Sequence, residues 1–233
     1  MNRYKYRILF SKTEAMRFTG HLDLFRAWER LLRRAQVPLA YSTGFHPHPK
    51  IQIGAALPLG VTGDNEIVDI ETAEECDDSV LTRQIAEAAP LGVSDIRVTA
   101  LPADSPGLEK LVIAGEYFVE PLDGAWPDDL PQKIELLLAS TNLPRERRGK
   151  AYDLRPRILS LALEGNAPAL SPELAKRGKR RLRMRLRLEP DATGRPDEVL
   201  AAFGMESLPV LVRRERLVLR ESEGEVIGSD ELR

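Results

Sequence analysis

The chain has 233 residues, of which 42% are hydrophobic and 30% charged, values typical of a globular protein with one or two domains. No apolar run approaches the roughly 20 residues of a membrane-spanning helix, and the charged N-terminal stretch lacks the apolar segment of a secretory signal. The single cysteine excludes an internal disulfide, a cysteine-bound iron–sulfur cluster and a cysteine-rich zinc site, so we expect a reducing, cytoplasmic location and no membrane partner.

The formal net charge of −2 conceals two strongly basic segments. Residues 1–50 carry ten Lys and Arg against three Asp and Glu, and residues 145–187 carry fourteen against four. A local basic surface attracts anions even in a chain of nearly neutral net charge. The segments therefore predict polyanion binding, and the alternative is that they pair with acidic segments inside the fold.

The first half of the sequence predicts one unit with the element order βαββαβ. Alternating apolar and β-branched residues predict strands, and apolar residues at three- and four-residue steps predict helices. The predicted strands are residues 4–10, 50–57, 66–72 and 93–100, and the predicted helices are residues 22–35 and 80–89. LPLGVTGDN is rich in turn residues and separates the second and third strands. The order is that of a ferredoxin-like unit.

The second half predicts a similar unit after a connector at residues 100–110 that is rich in Pro, Gly and Ser. The predicted strands are residues 111–120, 147–152, 157–164, 180–189 and 210–220, and the predicted helices are residues 130–140 and 196–203. The fold class is therefore α+β, with two tandem ferredoxin-like (βαββαβ) units and antiparallel sheets. We expect units at residues 1–104 and 105–220, followed by a disordered acidic tail at residues 221–233.

The first predicted helix has an apolar face and a basic face. Leu22, Phe25, Trp28, Leu32 and Ala35 form the predicted apolar stripe. Arg26, Arg30 and Arg33 recur at four- and three-residue steps, with Arg34 beside them, and therefore align on one side. Asp23 and Glu29 could pair with this face, but three acidic residues cannot neutralise ten basic ones in the first fifty residues. Gly20 or Thr19 can cap the helix, whose free N–H groups would lie beside Arg17 and His21.

RRLRMRLRLE, residues 180–189, is the cleanest alternation in the chain. The leucine and methionine side chains point to one face of the predicted strand, and the arginines point to the other. Same-face residues lie roughly 6.6 Å apart, which suits the phosphates of an extended single strand. We call Arg181, Arg183, Arg185 and Arg187 the arginine ladder. The alternative is that Glu116 and Glu120 of a neighbouring strand pair with it.

The three histidines are His21, His46 and His48, and the last two lie in GFHPHPK, residues 44–50. The prolines of this stretch impose extended geometry, in which the two imidazoles diverge. We therefore expect no metal site and no cofactor. Acid–base chemistry by His21 and His48, assisted by Tyr41, Ser42 or Lys50, stays open. So do a purely structural role and non-catalytic contact with an anion.

Cys76 lies in the acidic run EECDD, which predicts a raised thiol pKa and argues against a nucleophile. Walker, dinucleotide-binding, nucleophile-elbow and zinc-protease motifs are absent from the sequence.

Several blocks of the sequence resemble a known family. RFTGHLDLFRA, LAYSTGFHPHPK, and LPLGV followed by EIVDIE are similar to the signature of an uncharacterised, radical-SAM-associated bacterial family (domain of unknown function 2344), and KAYDLRPRI looks like its second landmark. Members occur alone or fused behind a radical SAM enzyme, so the resemblance implies such an enzyme as a partner. Gly20 stands where serine is usual, and His46 stands where asparagine is usual.

These observations predict a cytoplasmic accessory protein, with a non-catalytic role favoured, that binds RNA or another polyanion and presents it to a radical SAM or RNA-processing enzyme. Phe45 could stack on a base, and Arg26 and Lys50 could hold phosphates. The predicted binding residues are Arg17, His21, Asp23, Arg26, Arg30, Ser42, Phe45, His48, Lys50, Arg181, Arg183, Arg185 and Arg187. The alternatives are a metal-independent endoribonuclease that uses His21 and His48, and a protein–protein adaptor.

Overall fold

The computed structural model describes residues 3–122, 125–147, 149–165, 180–189, 192–220 and 226–231. The fold is α+β, with mostly antiparallel strands and few helices. The chain forms two compact units: unit 1 comprises Met1–Val112 and Arg216–Arg233, and unit 2 comprises Ile113–Glu215. The first boundary therefore lies later than the predicted one, and the end of the chain belongs to unit 1.

The part of unit 1 up to residue 111 contains four antiparallel strands and two long helices. Its elements are β1 (Tyr4–Lys12), α1 (His21–Arg34), β2 (Ile51–Ile53), β3 (Val61–Thr72), α2 (Asp78–Ala88), β4 (Val93–Leu101) and the short α3 (Leu108–Leu111). β1 pairs with β3 on one side and with β4 on the other, and β2 pairs with β3, so the strand order is β4-β1-β3-β2.

One face of this sheet is covered by α1 and α2. Tyr6, Ile8 and Phe10 alternate along β1 and pack in the core with apolar residues of both helices. The Phe10 and Trp28 rings meet edge to face, with centroids 4.8 Å apart. This packing fixes which face of α1 is buried.

The predicted apolar stripe of α1 is wrong in part. Trp28, Leu32 and Ala35 are buried as predicted, but Leu22 is 70% exposed and Phe25 is only half-buried. Leu24 and Leu31 are buried instead. Both spacings satisfy a helical period, and packing against the sheet selects between them.

The predicted turn LPLGVTGDN is wrong in its second half. β3 begins at Val61 and takes in residues 61–65, whereas β2 is confined to Ile51–Ile53 rather than residues 50–57. The register of β1 against β3 shifts between Phe10 and Lys12, and Lys12 pairs with Gly63. Such an irregularity lets turn-type residues continue a strand.

Unit 2 contains β5 (Val112–Pro121), α4 (Leu130–Ala139), β6 (Pro144–Arg147), β7 (Lys150–Asp153), β8 (Ile158–Glu164), β9 (Arg181–Glu189), β10 (Ala192–Thr193), α5 (Pro196–Ala202) and the first part of β11 (Val210–Arg220). The strand order is β8-β9-β5-β11, and β10 pairs with the end of β9. The predicted strand at residues 147–152 is wrong, because Arg147 ends β6 and residues 150–152 belong to β7, which pairs with β6 as a hairpin. Gly149 precedes β7 with a φ of 74°, and residue 148 lies outside the described residues.

The predicted disordered tail is wrong for the part that the structure describes. β12 (Val226–Gly228) pairs with β11, and a 3-10 turn follows at Ser229–Glu231. The buried Ser229 hydroxyl donates to the Asn65 carbonyl at 2.7 Å and accepts from the Leu217 N–H at 2.9 Å. Residues 221–225 and 232–233 lie outside the described residues. Among those described, no helix is long and apolar enough to cross a membrane.

Candidate nucleic-acid interface

Residues 40–50 form a short hairpin, here called the tip hairpin, that carries GFHPHPK. Tyr41 and Pro49 form an antiparallel bridge, and the Ser42 N–H donates to the His48 carbonyl at 2.8 Å. The Ser42 Oγ accepts from the His48 N–H at 2.9 Å. Residues 43–48 are exposed at its end, and the Phe45 side chain is fully exposed. The prolines and the Ser42 clamp therefore present Phe45 to solvent.

The base of the tip hairpin is joined to β3. The Ala40 N–H donates to the Glu71 carbonyl at 2.8 Å, and the Glu71 N–H donates to the Lys50 carbonyl at 3.0 Å. The Lys50 side chain is half-buried, and its ammonium has no hydrogen-bond or ion-pair partner among the described residues. Ser42, Phe45, His48 and Lys50 are thus brought together on one hydrogen-bonded hairpin.

The histidine side chains are exposed and make no hydrogen bond within the described part of the chain. His48 is held through its backbone, and the clamp comes from Ser42 rather than from an imidazole. His21 is the first residue of α1, and its neighbour Gly20 is the N-cap, without a side-chain cap. No group of three His, Cys, Asp or Glu residues able to hold a metal occurs among the described residues.

Lys12 has a structural role that the sequence did not indicate. Its side chain is buried, and its ammonium donates to the carbonyls of Arg17, Thr19 and Val61 at 3.1–3.3 Å. Because a buried charge needs hydrogen-bond partners, these three bonds fix the loop that leads into α1. A lysine at the end of an alternating strand gives no sequence signal for such a role.

Arg17 is held by the same loop. Its Nε donates to the Gly60 carbonyl at 2.8 Å, and its guanidinium lies 3.6 Å from the Glu14 carboxylate. The side chain is only 19% exposed, so Arg17 positions the loop more than it faces solvent. Beside it lie two exposed apolar side chains that the sequence patterns did not single out, Phe18 and Leu59.

The basic face of α1 is partly free. Arg26 and Asp23 form an exposed ion pair at 3.5 Å, and the Arg34 guanidinium donates to the Ala88 carbonyl. Arg30 and Arg33 are exposed, and the described residues offer them no hydrogen bond or ion pair. An exposed pair contributes at most about 1 kcal/mol, so Arg26 also remains available to a ligand.

Carboxylates of unit 2 compensate the positive charges of the arginine ladder. Arg183 pairs with the buried Glu116 at 2.6 Å and with Glu164 at 3.4 Å, and Arg185 lies 3.8 Å from Glu116. Arg181 pairs with Glu164 at 3.0 Å, and Arg187 with Glu189 at 2.6 Å.

The ladder also packs against an aromatic ring. The Arg181 guanidinium lies 3.5 Å from the centroid of the Phe118 ring, a cation–π contact. The hydrogen bond to Glu116 raises the pKa of Arg183. Pairing with Glu116 was the structural alternative, and Glu164 and Glu189 supply carboxylates that the sequence patterns did not indicate. The ladder is therefore held chiefly by its own unit.

The landmark KAYDLRPRI, residues 150–158, comprises β7 and a 3-10 turn at Arg155–Arg157 and is bonded to neighbouring segments. The Asp153 carboxylate accepts from the N–H groups of Leu143 and Arg155 at 2.7 and 2.9 Å. The Arg157 guanidinium lies 4.2 Å from the Tyr152 ring centroid. Burial, together with a hydrogen bond to Glu198, raises the pKa of Tyr152 to about 12. These contacts account for the motif as a structural element of unit 2.

The pKa of the Cys76 thiol is raised, as the sequence predicted, but the main cause is burial rather than the neighbouring acidic residues. Burial, followed by the nearby Glu74 carboxylate, raises the pKa of its thiol. The Tyr6 hydroxyl donates to the Cys76 carbonyl at 2.9 Å and accepts from its N–H at 2.7 Å. A raised pKa leaves less thiolate at a given pH, which argues against a nucleophile, and the bonds to Tyr6 indicate a structural role for this segment.

Comparisons with known proteins place the chain in a family. No curated protein matches its sequence. The crystal structure of an unknown protein from Galdieria sulphuraria matches 92% of this chain and 98% of that chain at 15% identity, with a TM-score of 0.26. A family model described as an uncharacterized protein conserved in bacteria matches residues 5–188. The chain therefore belongs to this family, DUF2344.

Proposed function

We propose that the chain is a non-catalytic accessory protein that binds single-stranded RNA through unit 1 and presents it to a radical SAM or RNA-processing enzyme. The observation that carries the proposal is the fully exposed Phe45 at the end of the clamped tip hairpin. Aromatic side chains in such positions stack on unpaired bases, at about 1–3 kcal/mol per base. Stacking needs a ring held in place, which the Ser42 clamp and the prolines provide.

Charge supports the same proposal. Arg30 and Arg33 of α1, and Lys50 at the base of the tip hairpin, are basic groups without a partner in the described part of the chain. Free cationic groups release counterions when they meet phosphates, which is the main source of affinity for nucleic acid. Unit 1 thus offers both an aromatic platform and uncompensated positive charge.

The arginine ladder has a lesser part in this proposal. Each of its four guanidinium groups lies within 3.8 Å of a carboxylate of unit 2. A phosphate would have to compete with these carboxylates. We therefore assign the main binding surface to unit 1 and a secondary one to the ladder.

The radical SAM partner is proposed from the family resemblance alone.

A pure protein–protein adaptor is the second candidate, and a specific observation favours it. Phe18 and Leu59 are 77% and 66% exposed, and they flank the loop before α1, since Phe18 lies beside Gly60 and Leu59 lies beside Gly20. Apolar groups exposed in this way mark surfaces where proteins dock. This surface would also suit an RNA-binding accessory protein.

We further propose that both units are ferredoxin-like. The order β4-β1-β3-β2 of unit 1, with α1 and α2 on one face, supports this arrangement. In unit 2, the order β8-β9-β5-β11 supports it with the β6–β7 hairpin as an insertion.

An endoribonuclease that uses His21 and His48 is the least supported alternative, because neither imidazole has a group that orients it among the described residues.

The test measures binding of a labelled single-stranded RNA over a range of salt concentrations. Phe45→Ala should weaken binding about tenfold or more, and the double variant Arg30→Ala, Arg33→Ala should reduce the salt slope by about 0.7 for each phosphate that it no longer neutralises. Arg83→Ala with Arg97→Ala is the matched control, since both arginines are exposed elsewhere in unit 1. Affinity that does not depend on salt would refute the proposal.

The same samples separate the alternatives. Cleavage of the RNA by pure protein, abolished by His48→Ala while binding persists, would favour the endoribonuclease. Capture of a protein partner that survives nuclease treatment, together with no RNA affinity, would favour the adaptor.

A further inference from the structure

Unit 1 contains a cavity of about 260 Å³ that the sequence did not predict. Lys5, Asp69 and Glu71 line it, and they alternate along β1 and β3 with Tyr6 and Ile70, which pack against the helices. Because successive side chains of a strand point to opposite faces, the cavity lies on the face of the sheet that α1 and α2 leave uncovered.

The connector that precedes α3 forms the outer wall. The Lys5 ammonium donates to the Ser105 carbonyl at 2.8 Å, and Ser105, Pro106 and Gly107 line the cavity. Gln52 holds this wall in place through two hydrogen bonds. Its Oε1 accepts from the Leu108 N–H at 3.1 Å, and its amide donates to the Glu109 carboxylate. The cavity is thus built by long-range contacts rather than left between loosely packed loops.

The carboxylates of the cavity are already paired. Arg7 binds both oxygens of Asp69 at 2.7 and 2.8 Å, and Arg3 lies 3.3 Å from Glu71. Burial raises the pKa of Asp69 despite the hydrogen bonds from Arg7, which indicates a floor shielded from water.

The ammonium groups of the cavity are not saturated. Lys5 uses one of its three donors on Ser105, and Lys50 has no partner among the described residues. The charged residues that line the cavity are Lys5, Lys50, Asp69 and Glu71, and arginines outside the lining already neutralise the two carboxylates. The cavity therefore offers unused hydrogen-bond donors and positive charge to an anion.

We infer that this cavity binds the phosphate monoester of a nucleotide, with Lys5 and Lys50 holding the phosphate. A phosphate monoester carries about −1.5 to −2 charges and three strong acceptor oxygens, which suits two ammonium groups. Pro49, Leu101 and Pro106 line the cavity and supply apolar walls for a base or ribose. The volume lies just below the range of about 300–1,000 Å³ of drug-sized sites, so the cavity suits a single nucleotide.

The cavity adjoins the tip hairpin. Pro49 and Lys50 belong to the base of the hairpin and also line the cavity. The inference rests on the proposed function in one respect: if RNA stacks on Phe45, the nucleotide in the cavity is the phosphorylated end of that strand. A free nucleoside monophosphate presents the same chemistry, and the experiment separates the two sources.

The test measures binding of one RNA of about eight nucleotides in three forms, with a 5′-phosphate, a 3′-phosphate or hydroxyl groups at both ends. A nucleoside monophosphate and inorganic phosphate are the small probes. We expect one phosphorylated end to bind about tenfold more tightly than the hydroxyl form, equivalent to about 1.4 kcal/mol. Lys50→Gln should remove this preference, whereas Phe45→Ala should weaken all three RNAs equally. Arg83→Gln, on α2, should change nothing.

Lys50 has no side-chain partner among the described residues, so the thermal midpoint of Lys50→Gln should match that of the wild type. Equal affinity for the three RNA ends, together with no binding of the monophosphate, would overturn the inference and leave the proposed function standing. A preference that persists in Lys50→Gln would also overturn it, as would a monophosphate that binds no more tightly than inorganic phosphate. If no RNA binds but the monophosphate does, in a Lys50-dependent way, the proposed function fails and the cavity site stands.

Discussion

The Ser42 hydroxyl accepts a hydrogen bond from the backbone N–H of His48 at 2.9 Å and thereby closes the tip hairpin across Thr43 to Pro47. The reciprocal backbone bond, from the Ser42 N–H to the His48 carbonyl, is 2.8 Å long. One short side chain thus satisfies a donor that the prolines leave without a strand partner. The position of Phe45 depends on this clamp.

Replacing Ser42 by alanine should therefore affect binding more than stability. The clamp is exposed, so water can replace the hydroxyl, and the free energy of unfolding should fall by about 0.5–1 kcal/mol. RNA affinity should fall several-fold, because the Phe45 ring must be ordered on binding. Chemical unfolding and RNA titration measure the two effects. Ser42→Thr retains the hydroxyl and is the control, and unchanged affinity in Ser42→Ala would show that the clamp does not position the ring.

The sequence predicted most elements but not the contacts that arise between distant segments. Strands such as β1 and β9 and the helix α1 follow from local periodicity, and the structure has them close to the predicted bounds. The side of α1 that is buried could not be predicted, because two stripes share Trp28 and Leu32 and only the sheet selects between them. The β6–β7 hairpin was missed because its arms are charged and only four residues long.

The candidate site was predictable to a similar extent. Pro and Gly around Phe45 and His48 indicated an exposed loop, and the structure places these residues at the exposed end of a hydrogen-bonded hairpin. The buried role of Lys12 needs carbonyls from the loop before α1 and from the start of β3, and the ladder needs carboxylates from β5 and β8. Neither set of partners can be predicted from residue spacing, since both depend on tertiary packing.

Serine in place of Gly20 should stabilise the protein slightly. Gly20 is the N-cap of α1, with extended φ and ψ of −71° and 167° and no side-chain cap. A Cβ at this position would lie 3.8 Å from Asp23 and 3.9 Å from Leu59, which is ordinary van der Waals contact. A serine hydroxyl could then accept a free N–H of the first turn, and the gain over glycine is a few tenths of a kcal/mol. Chemical unfolding of Gly20→Ser and Gly20→Ala tests this, and an alanine variant that is equally stable would exclude capping as the cause.

Glycine in place of Gln36 should stabilise the end of α1. Gln36 has a φ of 55°, and its N–H bonds to the Arg33 carbonyl while the Val37 N–H bonds to the Leu32 carbonyl. This is the helix-ending motif in which glycine is the favoured residue at the left-handed position. Relief of about 1–2 kcal/mol of strain, less up to about 1 kcal/mol of added chain entropy, leaves a gain of about 0.5 kcal/mol. The thermal midpoint of Gln36→Gly should rise while that of Gln36→Ala stays near the wild type, and a decrease in Gln36→Gly would contradict the prediction.

Methionine in place of Lys12 should be strongly destabilising. The substitution preserves most of the side-chain volume but removes the donor shared by the carbonyls of Arg17, Thr19 and Val61. The Arg17 carbonyl still accepts from the Gly60 N–H, so the loss falls chiefly on the Thr19 and Val61 carbonyls. Leaving an acceptor without a donor costs about 1–3 kcal/mol, so the free energy of unfolding should fall by about 2 kcal/mol or more. Lys110→Met, at an exposed lysine, is the control. A change in Lys12→Met no larger than that of the control would show that the loop before α1 does not depend on the ammonium.

The thiol of Cys76 should react slowly in the folded protein and faster after unfolding. Burial and the nearby Glu74 raise its pKa, so at a given pH the folded chain holds less thiolate than the unfolded chain, whose thiol has a pKa near 8.5. Above that pH the unfolded state binds fewer protons than the folded state, so stability should decline as the pH rises towards the folded-state pKa. Alkylation rates measured against pH, in buffer and in urea, test this prediction, and Cys76→Ser should abolish labelling in both. If the alkylation rate in buffer inflects at or below the pH at which it inflects in urea, the thiol is exposed and the prediction is wrong. Burial is the main cause of the raised pKa, so an exposed thiol would not show the shift.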